Sequence, residues 1–266
     1  MKIFKSKHKL QNEILTEKNI SFVPTMGGLH KGHLSLIKKS KTFKGKTIVS
    51  IFVNPDQFNK KSDYENYPRN IKKDLRILKS LKTDIVYIPR KKEILYFKPI
   101  NKVYLDKFSS KLCGSFRKGH FKGVLNIVNR FLETIKPKRL ILGVKDFQQL
   151  YLIKKHILKR KIHTQIVSCK TIREKNGIAC STRNSNLTKK QLRIASKIFN
   201  LLSYEKKKSF MKLDIIKKNI IKLGARKIDY LEIYNLKSLK KTNNLNKNSR
   251  IFIAYYLDKI RLIDNI

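Results

Sequence analysis

The sequence has few acidic residues and no long apolar run. Lys and Arg number 63 against 18 Asp and Glu, so the formal charge of the 266-residue chain is +45 at pH 7. The longest unbroken apolar run, Ile251–Leu257, has seven residues, whereas a membrane-spanning helix needs about 20. We therefore expect no membrane span. Because 41% of the residues are hydrophobic, there is enough apolar material for a core, which excludes disorder throughout the chain.

Cysteine is also scarce. The three cysteines, Cys113, Cys169 and Cys180, form no C-x-x-C pair and do not have the spacing of a zinc finger. The first ten residues lack the apolar segment of a secretory signal, and the first arginine is Arg69, whereas transit peptides are rich in arginine. These observations predict free thiols in a reducing cytoplasm.

The positive charge comes mainly from lysine. Arginine occurs 13 times, and it is the residue suited to bidentate contacts with phosphates and bases. The lysines are spread along the chain among many Asn and Ile residues, which favours solvated surface charge over a specific nucleic-acid site. A surface that binds polyanions is the alternative.

Short apolar segments alternate with amphipathic ones up to about residue 171. The predicted strands are Ile20–Val23, Thr47–Val53, Asp84–Ile88, Arg139–Leu142 and Thr164–Cys169. Alternation with helices predicts an α/β domain with a doubly wound parallel sheet over residues 1–171. Two helical segments and the strands Ile228–Tyr234 and Ile251–Leu257 follow, which predict a smaller C-terminal α+β domain over residues 172–266.

The segment Pro24–Leu34 (PTMGGLHKGHL) directly follows the first predicted strand and opens a helix. In an open α/β sheet this position faces the crevice where ligands bind. Its glycines let the backbone approach a ligand, and the helix N-terminus offers N–H donors to a phosphate. His30 and His33 can donate hydrogen bonds to the same phosphoryl oxygens. The alternatives are a turn whose histidines bond only to local backbone, or half of a zinc site.

Other polar segments also follow predicted strands or precede helices. Gln57 follows the strand that ends in Asn-Pro, where it can hold a small polar substrate or be an ordinary loop residue. The segment Arg117–Gly123 suits an anion. In Gly143–Gln149, a lysine can pair with phosphates and an aspartate can hold hydrated Mg²⁺. Hydroxyls and an arginine in Cys180–Asn184 can close over a triphosphate, whereas Cys180 as a nucleophile is disfavoured because no histidine lies beside it in sequence.

Taken in order, these segments resemble those of the pantothenate synthetase (pantoate–β-alanine ligase) family. They read PTMGGLHKGHLSL, SIFVNPDQF, YPR, FRKGHFKGV, LGVKDFQQL and TIRE…CSTRNSNL. The resemblance runs from about residue 20 to about residue 190. It implies a Rossmann-like domain of the nucleotidylyltransferase type with a small C-terminal lid, in a homodimer. It also implies that pantoate and Mg-ATP form a pantoyl adenylate, which β-alanine then attacks to give pantothenate and AMP.

The resemblance also implies roles for individual residues. His33, which the family describes as the proton donor, would be catalytic together with His30, Lys145 and Arg183. Gln57 and Gln149 would hold pantoate, with Gln57 near β-alanine, and Asp146 would hold Mg²⁺. The implied ATP-binding residues are Met26, Gly27, Gly28, Leu29, His30, Lys31, Gly32, His33, Gly143, Val144, Lys145, Asp146, Ile172, Cys180, Ser181, Thr182 and Arg183. Tyr67, Asp74 and Arg117 fall on family positions with weaker assignments.

The sequence departs from the family pattern at a few positions. Val144 replaces a glutamate, which predicts an altered metal affinity, and Lys118 replaces a proline. Cys180 and Thr182 replace Met and Ser, and the threonine retains a hydroxyl. The histidines, glutamines and lysine of the pattern are all present, so we expect an active enzyme. The alternatives are a related ligase or nucleotidylyltransferase that uses another acceptor, and a non-catalytic polyanion-binding protein.

Overall fold

The computed structural model describes residues 1–266. Its first sheet has six strands, all parallel, in the order β1-β4-β3-β2-β5-β6. The strands are β1 (Lys2–Phe4), β2 (Ser21–Thr25), β3 (Thr47–Ile51), β4 (Ile85–Tyr87), β5 (Arg139–Gly143) and β6 (Gln165–Cys169). From β2 the chain proceeds outward through β3 to β4, and then returns to the other side of β2 for β5 and β6. The strand order therefore reverses beside β2, which is where open α/β sheets form a ligand crevice.

Ten α-helices accompany the strands. They are α1 (Lys7–Glu13), α2 (Lys31–Ser40), α3 (Lys61–Glu65), α4 (Ile71–Ser80), α5 (Lys91–Leu95), α6 (Cys113–Phe116), α7 (His120–Ile135), α8 (Phe147–Lys159), α9 (Lys189–Glu205) and α10 (Leu213–Lys222). Short 3₁₀ helices cover Pro55–Gln57, Lys107–Ser110, Val144–Asp146 and Thr182–Asn186.

The helix α7 is the central packing element of the first unit. Most of its side chains are buried. The Phe131 ring lies against the rings of Phe22 and Tyr87 on two strands, with centroids 5.4 and 6.1 Å away. These contacts remove large aromatic surfaces from water, which is a strong source of stabilisation in a core. The helix is thereby fixed on the sheet, with its N-terminus in a defined place.

Spatial proximity divides the chain into two compact units, residues 1–110 with 117–171 and residues 111–116 with 172–266. The segment Lys111–Phe116 thus groups with the second unit, although it lies within the predicted first domain. The second unit contains an antiparallel sheet of β7 (Lys227–Asn235), β8 (Ser249–Leu257) and β9 (Ile260–Asn265). The helices α9 and α10 contribute Ile198, Leu202, Ile216 and Ile220 to its core.

The predicted fold class is confirmed: a six-stranded parallel sheet with helices, and a smaller C-terminal unit of helices and antiparallel strands. All five strands predicted for the first domain are present. Six of the strands and α-helices were not predicted, namely β1, β9, α1, α3, α5 and α6. The segment Lys237–Lys247 contains residues that make isolated bridges to Phe210 and Tyr234. No helix is long and apolar enough to cross a membrane.

Candidate active site

The turn after β2 is shaped by two glycines and one carboxylate. Gly27 and Gly28 have φ values of +79° and +61°, which favour glycine. Asp74 is only 2% exposed. Its Oδ2 accepts a hydrogen bond from the Gly28 N–H at 2.9 Å, and its Oδ1 accepts one from the Leu29 N–H at 2.8 Å. A Cβ atom on Gly27 would lie 2.9 Å from Asp74 Oδ2, so the carboxylate packs directly on the turn.

His30 and His33 cap the N-terminus of α2 reciprocally. His30 Nδ1 accepts a hydrogen bond from the Gly32 N–H at 3.1 Å, and His33 Nδ1 accepts one from the His30 N–H at 3.4 Å. An imidazole nitrogen that accepts carries no proton. Each neutral ring therefore has its proton on Nε2, and the two ring centroids lie 4.0 Å apart. The turn thus holds two Nε2–H donors side by side.

The surroundings of His33 keep its ring neutral. Burial, then the neighbouring His30 and the ammonium of Lys145, lower the pKa of His33 well below 6.5. Desolvation and nearby positive charge both disfavour an imidazolium. At neutral pH the ring is consequently a hydrogen-bond donor without a charge of its own. The effect of Lys145 also means that the segment after β5 lies close to the turn after β2.

The segment after β5 contributes the second set of predicted residues. Because β2 and β5 are adjacent parallel strands, their carboxyl ends lie at the same edge of the sheet. Gly143 ends β5, and Val144–Asp146 forms one 3₁₀ turn before α8. Gln149 lies in the first turn of α8 and is half-buried. The structure therefore brings Lys145 and its neighbours to the edge that carries the histidines.

Asp146 has the properties of a carboxylate that can hold Mg²⁺ through a bound phosphate. It is exposed, and its side chain makes no capping hydrogen bond to α8. Mg²⁺ in nucleotide sites is commonly held by one or two carboxylates together with substrate phosphates and water. No group of three or more His, Cys, Asp and Glu side chains lies together in a way that could hold a metal ion. One carboxylate fits an ion that arrives with ATP.

Gln57 lies at the end of the 3₁₀ turn that follows β3. Its side-chain amide contacts the sulfur of Met26, which is the first residue of the turn after β2. The two strands are neighbours in the sheet. The structure thus places one of the predicted acid-binding glutamines directly beside the predicted ATP-binding turn.

The remaining predicted residues lie in the second unit. The Ile172 carbonyl accepts a hydrogen bond from the Cys180 N–H at 2.9 Å, and Ser181 Oγ accepts one from the Arg183 N–H at 3.3 Å. Thr182 and Arg183 begin a 3₁₀ helix. The Cys180 side chain is 1% exposed, and its thiol donates to Glu174 Oε1 at 3.1 Å.

The sequence analysis assigned only a weak role to Asp74, and it assigned no individual role to His120. An aspartate in the first turn of a helix is common because it complements the helix dipole, so its type and position carry no distinct signal. Its partners lie 46 and 45 residues away. The signal that could have found it is the run Gly27-Gly28, since a turn of consecutive glycine residues leaves backbone donors that need acceptors.

The comparisons with known proteins agree along the whole chain. A family model described as pantoate-beta-alanine ligase matches residues 2–266. A pantothenate synthetase from Francisella tularensis subsp. novicida is 40% identical over 264 residues, which cover 98% of this chain and 94% of that protein.

Solved structures of pantothenate synthetases are also similar along the whole chain. A pantoate-beta-alanine ligase from Francisella tularensis, complexed with beta-gamma ATP and beta-alanine, is 38% identical with a TM-score of 0.87, covering 100% of this chain and 97% of that one. A Thermus thermophilus pantothenate synthetase is 27% identical with a TM-score of 0.91, covering 100% and 99%. With the turn, the histidine pair and the lysine in place, the chain belongs to the pantoate–β-alanine ligase family.

Proposed function

We propose that this chain is an ATP-dependent ligase that joins pantoate to β-alanine. In the first step a pantoate carboxylate oxygen attacks the α-phosphorus of ATP, and the bond to the leaving pyrophosphate breaks. In the second step the amine of β-alanine attacks the acyl carbon of the pantoyl adenylate, loses a proton and displaces AMP. The observation that carries this proposal is the reciprocally capped pair His30 and His33, whose Nε2–H groups lie at the point where the strand order reverses.

The chain's own residues supply positioning and charge stabilisation. Phosphoryl and nucleotidyl transfer leave little covalent work to a protein, so donors fixed before the reaction lower the barrier most. The Nε2–H groups of His30 and His33 donate to phosphate oxygens, and Lys145 adds a positive charge beside them. The backbone N–H groups at the start of α2 supply further donors.

The other predicted residues have complementary roles. Gln57 and Gln149 hold the hydroxyl and carboxylate groups of pantoate, and Gln57 contributes to β-alanine binding. We also assign contacts with ATP to Ile172 and to residues Cys180–Arg183, with Arg183 on the phosphates. Asp146 would hold Mg²⁺, and the ion would supply positive charge to neutralise the phosphates.

We place this reaction in the cytoplasm and in a homodimer. All three cysteines are free thiols, which suits a reducing compartment. Large apolar side chains are exposed on the first unit, among them Ile100 at 90% and Leu158 at 63%, and a second copy can cover such surface. Light scattering of the purified protein measures the subunit number directly.

The decisive experiment measures AMP release from Mg-ATP with pantoate and β-alanine added singly and together. AMP that forms only with both acids present supports the ligase, and pantoate-dependent exchange of labelled pyrophosphate into ATP supports the adenylate step. A folded protein that binds ATP but gives no AMP supports a related enzyme with another acceptor. Absence of ATP binding as well would leave the polyanion-binding alternative, which predicts binding that falls steeply with salt.

A further inference from the structure

The main-chain carbonyl of Gln57 receives two hydrogen bonds from one short segment. His120 Nδ1 lies 2.7 Å from this oxygen, and Arg117 Nη2 donates to it at 3.1 Å. Arg117 Nη1 also lies 3.1 Å from His120 Nε2. A carbonyl oxygen has two lone pairs, so both are used. The three groups form a closed ring of hydrogen bonds, which we call the Gln57 clamp.

The clamp determines which tautomer His120 adopts. A carbonyl oxygen can only accept, so His120 Nδ1 carries the proton. An arginine guanidinium can only donate, so His120 Nε2 holds the lone pair. The arrangement is the reverse of that at His30 and His33, where Nδ1 accepts. It also differs from His156, whose Nδ1 accepts from the Tyr104 N–H at 3.1 Å.

A second set of contacts holds the same turn from the other side. Asn54, which is 1% exposed, donates from Nδ2 to the Gly123 carbonyl at 3.1 Å. A Cβ atom on Gly123 would lie 2.2 Å from the Asp56 carbonyl oxygen. The first turn of α7 therefore touches the backbone of the turn Pro55–Gln57 without room for a methyl group. The clamp and this contact together fix the position from which the Gln57 side chain extends.

We propose that His120, in its neutral Nδ1–H form, is a positioning residue that sets Gln57 for binding of the carboxylic-acid substrate. This inference rests on the proposed function, in which Gln57 holds pantoate. His120 acts through the main chain of Gln57 and not through the substrate itself. Loss of the His120 donor should therefore weaken the use of pantoate and leave that of ATP nearly unchanged.

Two variants distinguish the effect of the His120 hydrogen bond from the effect of the volume of its ring. In His120→Asn the side-chain amide nitrogen occupies about the place of Nδ1 and can donate to the Gln57 carbonyl, whereas His120→Leu fills space without a donor. We expect His120→Leu to lower kcat/KM for pantoate about tenfold, with KM for ATP within about twofold of wild type. His120→Asn should recover most of the loss. The exposed His163 provides a control variant, His163→Leu, that should behave as wild type.

Equal losses for ATP and pantoate, or no recovery in His120→Asn, would overturn the positioning role. Thermal unfolding of each variant shows whether His120→Leu is folded. If it is not, His120→Asn against wild type remains a test, because a ring needed only for packing is not replaced by the smaller amide.

A spectroscopic experiment tests the clamp without enzymatic activity. Long-range ¹H–¹⁵N correlation spectra of protein labelled at histidine distinguish the two neutral tautomers. We expect an Nδ1–H ring that disappears in His120→Asn, and Nε2–H rings for His30, His33 and His156. An Nε2–H tautomer at His120 overturns the inference. If the tautomer is as expected but the wild type forms no AMP, the proposed function fails while the clamp stands.

Discussion

His30 and His33 each accept a backbone hydrogen bond through Nδ1 and thereby each direct the proton to Nε2. One pair of contacts thus performs two tasks: it satisfies N–H groups at the start of α2 that have no partner within the helix, and it selects the tautomer that can donate to a phosphate. An aspartate would cap this helix as well, but its carboxylate would leave no donor on the outer side.

The two tasks of His33 can be separated by substitution. His33→Asn retains an acceptor at about the place of Nδ1 and loses the Nε2–H donor. We expect adenylate formation to fall roughly 10²- to 10³-fold, with a melting temperature close to that of wild type because the cap remains. Pyrophosphate exchange and calorimetry give the two values. A rate within about threefold of wild type for His33→Ala would falsify the role of this histidine.

The pH dependence of adenylate formation should show no acid limb at the ordinary histidine pKa. Burial, His30 and Lys145 lower the pKa of His33 well below 6.5, so the neutral form persists as the pH falls through 6.5. Only below the lowered pKa does Nδ1 gain a proton and lose its hydrogen bond from His30. We expect the first-step rate to be level from pH 7.5 to below 6.5. A fall centred at pH 6.5 or higher, and absent from a variant without this ring, contradicts the expectation.

Substitution of Asp74 should affect ATP binding more than the stability of α4, the helix that contains this residue. Asp74→Asn replaces one of two acceptors with a donor that faces a backbone N–H, so the turn of Gly27 and Gly28 loses its shape. Since a hydrogen bond to a charged group contributes about 1.5–3 kcal/mol, we expect KM for ATP to rise about 10- to 100-fold.

A matched control lies in the same helix. Asn70 caps α4 by accepting from the Lys73 N–H, and Asn70→Ala should cost about 1 kcal/mol of stability without changing KM for ATP. If both variants change KM equally, the effect of Asp74 comes from helix stability alone.

His156 should make the protein less stable in mild acid. The ring is fully buried, and its Nε2 donates to Asn129 Oδ1 at 3.0 Å. Burial, followed by the charge of Arg160, lowers the pKa of His156 to about 4, whereas the unfolded chain takes up the proton near 6.5. The contribution is therefore fully present above pH 6.5 and is lost as the pH falls toward 4. The loss amounts to at most about 3 kcal/mol.

Urea unfolding of wild type and His156→Gln at several pH values measures this contribution. The glutamine amide can still donate to Asn129 but does not titrate. The stability difference between the two proteins should shrink between pH 6.5 and 4. A difference that is constant over this range would mean that protonation of His156 is not linked to folding.

The pair Arg173 and Asp264 should hold the second unit together. Two guanidinium nitrogens donate to the two carboxylate oxygens at 2.6 and 3.0 Å, and the guanidinium lies 4.4 Å from the Phe199 ring centroid. Both side chains are mostly buried. Asp264→Asn should cost about 2 kcal/mol of unfolding free energy, because a partly buried charge loses its partner. The exposed pair of Lys217 and Asp214 supplies the control, since Asp214→Asn should change stability by less than about 0.5 kcal/mol.

Sequence periodicity was sufficient for the central strands of the parallel sheet because these strands are buried on both faces. Thr47–Ile51 is buried throughout and reads as a continuous β-branched and apolar run. The edge strand Lys2–Phe4 has only three residues, two of them exposed. It is therefore too short to show the apolar pattern that identifies a strand in a sequence. The strand Ile260–Asn265 has no sustained alternation of apolar and polar residues, and it is fixed by pairing with β8.

The same distinction holds for the site. The turn Met26–His33 was predicted because its glycines and histidines follow a strand directly, so a single short segment contains the whole signal. The link between Gln57 and His120 spans 63 residues and depends on how two segments meet, which no local pattern records. The roles assigned to Arg183 and to the other ATP-binding residues stay predictions.

The absence of clearance between Gly123 and Asp56 has a thermodynamic consequence. A turn that can neither slide nor relax against α7 has already lost its backbone freedom in the free protein. Ordering one residue's backbone costs about 1–2 kcal/mol, and here that cost belongs to folding. A substrate that meets Gln57 restricts only side-chain torsions, so its affinity is not reduced by ordering of the main chain.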